Sequence, residues 1–298
     1  MTIIEALRDR NLLGALPAFR DLTTWRSWLV FAKAIYGITL EADELEAFRC
    51  HTGRTTPRPD GYSEAVAIVG RQSGKSEVAA ALAVFEAISA PRIRGRGEVY
   101  ALLIAQDQRS SLRTLFRYAS SPFEVSPMLE RFVVNRTSDT LSLENGTTIA
   151  AYPCRPAAIR GLRARVVVAD ELAFFKPTEN IPTDVVLRAA RPCLATTGGK
   201  LIVLSSPYSQ SGALWELHRH HYGKDDSSTL IWQADAPSMN PTLPADYLER
   251  MKQDDPEAYR SEVLGEFRQG VVTFLDADTL AACVVEGRHE LGPVAGVK

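Results

Sequence analysis

Hydrophobic residues fall into two spacings along this chain. Continuous apolar runs, rich in β-branched residues, stand at Ala65–Val69, Val99–Ala105, Val166–Ala169 and Leu201–Leu204. Such runs are expected of strands buried on both faces. Thr229–Gln233 reads as a further strand. Helical spacing predicts helices over Ser76–Ser89, Gln106–Tyr118, Gly212–His221 and Ala245–Phe267, the last broken near Pro256. Leu141–Leu143 and Thr147–Tyr152 flank Asn145-Gly146, whose residues both tolerate positive φ, and together predict a hairpin. Residues 1–60 read as helical and turn-rich, with Trp25, Trp28, Leu29, Phe31 and Ala32 on one buried helical face. The alternation of strand and helix predicts an α/β fold, a mostly parallel central sheet flanked by helices. The last stretch, 271–298, loses the pattern and reads as a linker.

One predicted strand runs into a loop with distinctive chemistry. Val69 is followed by Gly70-Arg71-Gln72-Ser73-Gly74-Lys75-Ser76-Glu77, and then by a helix-forming run. Strand, glycine-bearing loop and helix N-terminus in that order build a phosphate cradle, because free N–H groups and the positive end of the helix dipole face the anion. Gly74 lets the backbone approach the phosphates. Lys75 places a charge on the β and γ phosphates, and Ser76 can hold Mg²⁺. The usual pattern has a glycine five residues before Gly74; here Val69 stands in that place. The predicted ligand is ATP, with Gly70, Gln72, Ser73, Gly74, Lys75, Ser76 and Glu77 as candidate contacts.

Two further strand ends carry polar chemistry. Val166-Val-Val-Ala-Asp170-Glu171 closes an apolar strand with two acids, at the point where charge can reach a site without being buried unpaired. Asp170 is the candidate Mg²⁺ residue and Glu171 the candidate base that polarises the attacking water. Leu201-Ile-Val-Leu-Ser205-Ser206-Pro207 ends in two hydroxyls suited to sensing the γ-phosphate. This order predicts a P-loop NTPase with an additional strand and a catalytic glutamate between the nucleotide strands.

Composition narrows the class. The balance of apolar and charged residues is that of a globular chain, and no apolar run reaches membrane-spanning length. The N-terminus lacks the long apolar core of a secretory signal. Cys50, Cys154, Cys193 and Cys283 are far apart, which favours buried thiols over zinc or disulfides. A net charge of −2 gives no global sign of nucleic-acid binding. Two local clusters do better: Arg92, Arg94 and Arg96, then Arg155, Arg160, Arg163 and Arg165. Each reads either as a solvated loop or as a phosphate contact. His218 and His221 share a helix face without a third ligand, which favours a polar surface over a metal site.

Together these motifs resemble the ATPase domain of the large terminase subunit, the DNA-packaging motor of tailed bacteriophages. Arg71-Gln72-Ser73-Gly74-Lys75-Ser76 is similar to that family's form of the phosphate loop, which accounts for Val69. Asp170-Glu171 matches its acidic strand end, and Ser205-Ser206-Pro207 with Gly212 and Trp215 its coupling motif. Ser238-Met-Asn-Pro241 and Leu264-Gly-Glu-Phe267 match later segments. The resemblance covers roughly residues 40–270. It implies that Arg71 lies near the phosphates, and that Arg160 acts on the ATP of a neighbouring subunit, an alternative to Arg160 pairing with a surface acid or a DNA phosphate. It also implies a base-contacting segment before the loop, where Phe48 to Arg54 is the candidate; Arg54 could stack on the base or touch phosphate, while Phe48 reads as core.

The implied organisation is a helical segment 1–60 on a motor domain 61–270, with 271–298 as a linker toward a nuclease domain absent from this sequence, either removed or carried on another polypeptide. Asp276 and Asp278 have no strand pattern around them, so nuclease activity is not expected. The implied function is ATP hydrolysis driving double-stranded DNA into a capsid. The implied partners are DNA, a portal protein, the small terminase subunit and further copies in a ring, all in the host cytoplasm. The alternatives are a helicase or remodelling ATPase, for which a second motor domain is missing; a nucleotide-dependent switch, which would not need Glu171; and a small-molecule kinase, which would need a lid and acceptor pocket.

Overall fold

The computed structural model describes residues 1–92, 97–106, 111–175 and 183–268. Eight strands form one sheet: β1 (Glu64–Val69), β2 (Val99–Ala105), β3 (Val133–Arg136), β4 (Thr140–Leu143), β5 (Thr147–Pro153), β6 (Ala164–Asp170), β7 (Lys200–Ser205) and β8 (Thr229–Ala234). Their order is β3-β4-β5-β2-β6-β7-β1-β8. The β3–β4 and β4–β5 pairs are antiparallel, and every other pair is parallel. The sheet is therefore mostly parallel as expected, with β7 as the additional strand between β1 and β6.

Side chains alternate across the pleat, so each strand feeds two cores. On one face Ala67, Val69, Leu103, Val166, Val168 and Trp232 pack under α1 (Ile3–Arg8), α2 (Arg26–Ile35), α4 (Lys75–Ser89) and α5 (Arg117–Val125). On the other, Val66, Ile68, Leu102, Val167, Val203 and Ile231 pack under α6 (Thr183–Ala195) and α7 (Gly212–His221). Each such fully buried side chain stabilises the fold by roughly 1.5–3 kcal/mol. The remaining long helices are α3 (Ala42–Thr52) and α8 (Ala245–Asp254).

Register brings three strand ends level. Ile68 pairs with Ser205, and Asp170 pairs with Leu204. The chain leaving β1, β6 and β7 thus emerges side by side at the carboxyl edge of the sheet, where ligands of such folds bind.

Several elements differ from the sequence pattern. α6 carries Pro192 inside it, and a proline there reads as a breaker. β3 is a four-residue edge strand, Val133–Arg136, largely exposed and with no alternation to read. The predicted helix Ala245–Phe267 breaks at Pro256 but ends by Val263, because Gly265 turns the chain with φ +70°. Arg94, Arg96, Asp276, Asp278, Cys283, the 271–298 stretch and part of the predicted Gln106–Tyr118 helix lie outside the described residues.

Candidate functional site

The loop after β1 is held from three sides. Ser73 Oγ donates to Gly70 O at 2.8 Å, closing the loop on itself. Trp28, on α2 and 2% exposed, donates its indole N–H to Ser73 O at 2.6 Å. Asn240 Nδ2 donates to Gln72 O at 2.7 Å. Gln72 has φ 61° and Gly74 φ 84°, so the backbone curls left-handed on both sides of Ser73. Gly74 also has no room for a side chain: a Cβ there would lie 2.7 Å from Cζ3 of Trp25. Gly70 is equally confined, with the Val263 carbonyl 2.6 Å from a would-be Cβ.

α4 begins at Lys75, directing its first turn at the cleft. Lys75 Nζ donates to Gly70 O at 3.0 Å and to Ser206 Oγ at 2.9 Å, and stands 3.7 Å from Glu171 Oε1. Ser206 N donates to Glu171 Oε2 at 3.2 Å. Ser76 Oγ donates to Asp170 Oδ2 at 2.9 Å. Glu171 adopts φ 59°, a left-handed conformation that is uncommon for a non-glycine residue and turns the chain just past β6. Ser205 Oγ lies behind, accepting from Ala173 N at 3.0 Å. Lys75, Ser76, Asp170, Glu171 and Ser206 thereby join in one polar cluster, and Lys75, Ser76 and Glu171 line a cleft of about 640 Å³.

Burial sets the electrostatics. Desolvation raises the Asp170 carboxyl to about 6, helped by the adjacent Glu171 charge and opposed by Ser76 and Lys75. Desolvation lowers the Lys75 amine, while Glu171 and Asp170 pull it back up. Glu77, half-buried in the first turn of α4, is raised by burial. The other oxygen of Asp170, Oδ1, is buried with no hydrogen-bond partner among the described residues. An orphaned carboxylate oxygen beside a serine hydroxyl is a hard-oxygen set that suits Mg²⁺.

Arg71 reaches a different partner set. Its guanidinium lies 3.5 Å from Glu262 Oε1 and 5.8 Å from the Phe174 ring centre, on the rim of the cleft. Two expected residues do not join the cluster. Arg54 is 2% exposed and donates to Tyr62 Oη at 3.3 Å, to Ser227 O at 3.0 Å and to Thr229 O. It ties α3 to the start of β8 and does not line the cleft. Phe48 is fully buried in the core. Arg160 is exposed at the end of the short helix Pro156–Ile159, away from the cleft lining, and forms no ion pair with the described residues. His218 stacks on Trp215 and Tyr222 and is hydrogen-bonded to Gln233. No cluster of three metal-ligating side chains occurs among the described residues.

The cleft also has walls that sequence reasoning missed. Ala18, Thr24 and Trp25 come from the N-terminal segment, and Met239, Asn240 and Thr242 from the chain after β8. Trp25 looked like a continuation of the α2 stripe. It sits on a separate 3₁₀ turn, Leu22–Trp25, capped by the Asp21 carboxylate, and packs against the same core as Trp28 and Phe31 while also lining the cleft. The family-like Ser238-Met-Asn segment was the one available signal for the opposite wall.

The family model for the terminase large subunit ATPase domain matches residues 52–203, just over half of the 298. The chain belongs to the terminase large subunit ATPase domain family. No curated protein matches the chain in sequence. Among solved structures, the Thermus phage P74-26 large terminase ATPase domain aligns with a TM-score of 0.52 at 20% identity, over 80% of this chain and 97% of that one. The HK97 bacteriophage large terminase aligns with a TM-score of 0.55 at 15% identity, over 81% of this chain and 55% of that one. The large terminase of a thermophilic bacteriophage, solved in complex with ADP, aligns with a TM-score of 0.51 at 15% identity, over 69% of this chain and 48% of that one. This terminase domain thus spans about half the length of the last two proteins and shares their fold. No helix among its described residues is long and apolar enough to cross a membrane.

Proposed function

We propose that this terminase ATPase domain hydrolyses ATP and couples hydrolysis to movement of double-stranded DNA into a capsid. The observation that carries the reading is the junction of Lys75, Ser76, Asp170, Glu171 and Ser206 at three neighbouring strand ends. The loop from Gly70 to Ser76 and the N-terminus of α4 receive the phosphates. Arriving phosphate oxygens compete with Gly70 O, Ser206 Oγ and Glu171 for the Lys75 amine. Glu171, released from that partner, takes up a proton from the attacking water as general base. Ser206 touches both Lys75 and Glu171, so it is placed to register the exchange.

Ser76 and Asp170 are the residues that would hold Mg²⁺, which when bound would supply charge neutralisation for the phosphates. Arg71 stands on the rim as a sensor of the phosphates. Arg160, exposed and unpaired by any described acid, is available to a neighbouring subunit, which is what an arginine acting in trans requires. That role implies a homo-oligomeric ring, with a portal protein and a small terminase subunit as further partners. Contacts to phosphates alone suit a motor that must move any sequence.

The test is ATP turnover with and without double-stranded DNA, for wild type, Lys75→Ala and Glu171→Gln. The reading expects turnover that both substitutions abolish, with ATP binding kept by Glu171→Gln. Undiminished turnover in Glu171→Gln would refute the assigned base.

A further inference from the structure

Trp25 lines the cleft and rests against the phosphate loop. Its Cζ3 and Cη2 atoms lie 2.7 and 2.8 Å from where a Gly74 Cβ would stand, so the ring rests directly on the glycine before Lys75. The ring is fixed in place. Its N–H donates to Ala18 O at 2.8 Å, and its edge packs on Phe19 with ring centres 5.0 Å apart. The ring is half-buried: it packs against the apolar core that holds Trp28, and it also lines the same cleft as Lys75 and Ser76.

Position then assigns a direction to the ligand. Glu171 and Ser206 stand at the ends of β6 and β7, on one side of β1. A base for hydrolysis marks the terminal phosphate, so the rest of the nucleotide must leave the loop on the other side. That side is bounded by β8 and by α2, which packs on β8 through Phe31 and Trp232 with ring centres 5.7 Å apart. Trp25 immediately precedes α2. Facing it across the cleft are Met239, Asn240 and Thr242, which follow β8. The two walls are tied together, because Ser27 Oγ donates to Ser238 O at 2.7 Å and Asn240 holds Gln72.

We propose that the purine base of the bound nucleotide stacks on the indole of Trp25, in the slot closed by Met239 to Thr242. The inference rests on the ATP reading above and names the base-binding wall of that site. A rigid indole offers a large π-face at little entropic cost, and base-on-aromatic stacking tolerates either purine. The slot takes over the role that the family resemblance suggested for Arg54, whose Nη1 and Nη2 groups are hydrogen-bonded to Tyr62, Ser227 and Thr229 instead.

Tripolyphosphate separates stacking from support of the loop. Dissociation constants are measured by calorimetry for MgATP and for Mg-tripolyphosphate, on wild type, Trp25→Ala and Trp25→Phe. Trp25→Ala is expected to weaken MgATP roughly ten-fold and to leave tripolyphosphate affinity unchanged. Trp25→Phe should recover most of the MgATP affinity. Wild type should prefer ATP and GTP over UTP. Equal losses for both ligands in Trp25→Ala would make the ring a buttress for Gly74 and overturn the proposal. So would unchanged MgATP affinity, or a wild type that binds tripolyphosphate as tightly as MgATP. A wild type that binds neither ligand overturns the ATP reading itself, and this inference with it.

Discussion

The amine of Lys75 stands 3.7 Å from the carboxylate of Glu171, and both groups also touch Ser206. The residue that should grip phosphate and the residue that should activate water are thus bonded to each other. In the proposed reading, phosphate drawn onto the amine would free the carboxylate, so that the base would become available in step with substrate binding. Glu171→Gln should lower the hydrolysis rate by roughly 10²–10⁴-fold, the usual weight of a positioned base, with the ATP dissociation constant little changed. Lys75→Ala should weaken ATP binding itself. Single-turnover rates and equilibrium binding, measured side by side, separate the two.

Asp170 predicts a pH dependence with a definite sign. Its carboxyl is raised from 3.8 to about 6 by burial, so the fold favours the neutral form. The associated stability is fully present below pH 3.8 and is lost as pH rises through about 6. Without Mg²⁺ the ionised carboxylate costs about 3 kcal/mol at pH 7. Scanning calorimetry should therefore show Asp170→Asn gaining on wild type mainly as pH rises from about 4 to about 6. Added Mg²⁺ should reverse that order at pH 7, and its affinity for wild type should weaken below about pH 6 as protons compete.

Trp28 holds the loop from behind. Trp28→Phe removes the N–H that meets the buried Ser73 carbonyl. The expected cost is about 1–3 kcal/mol of unfolding free energy, read from urea titration. ATP affinity should fall with it, because the loop loses its anchor. A variant as stable as wild type with normal affinity would show that the indole bond carries no weight.

Arg54 should behave as a structural residue. Arg54→Met leaves the Ser227 and Thr229 carbonyls and the Tyr62 hydroxyl without their donor. A stability loss of roughly 3 kcal/mol is expected from removing one partner of a buried charged network. The KM for ATP should stay at the wild-type value in the folded fraction. A selective rise in KM would return Arg54 to the nucleotide site.

Arg160 can be tested by complementation. Arg160→Ala should lower turnover of the assembled protein by about 10³-fold or more without weakening ATP binding. Mixing it with Glu171→Gln should restore part of the activity, since one subunit then supplies the arginine and the other the base. No recovery, together with a loss of DNA affinity alone, would place Arg160 on the DNA instead.

Local signals were enough to pick out the polar residues that the sheet brings together. Gly74-Lys75-Ser76 after an apolar run, Asp170-Glu171 after another and Ser205-Ser206 after a third could each be read in place. A strand ending, a glycine turn and a helix start are events within a few residues, and their side-chain types reflect them. The same holds for the β4–β5 hairpin at Asn145-Gly146. It fails for β3, whose short edge run has no buried face to pattern it, and for α6, where Pro192 hides a helix made stable by packing on the sheet.

Arg54 and Trp25 show the limit. Both precede the phosphate loop, and the family resemblance pointed to the arginine as the nucleotide contact. Pairing of β8 beside β1 set where each of them lies. It placed the Thr229 carbonyl where the Arg54 guanidinium could bury itself, and it carried α2 with Trp25 onto Gly74. The chain by itself specified which residues stand at strand ends and what each can do, because those are properties of neighbours along the backbone. Which ends meet was decided only by the folded sheet, whose β6-β7-β1-β8 order draws together residues as far apart as 25, 75, 171 and 240. Hydrogen-bonded register and the packing of two cores set that order, and neither is a property of any single segment.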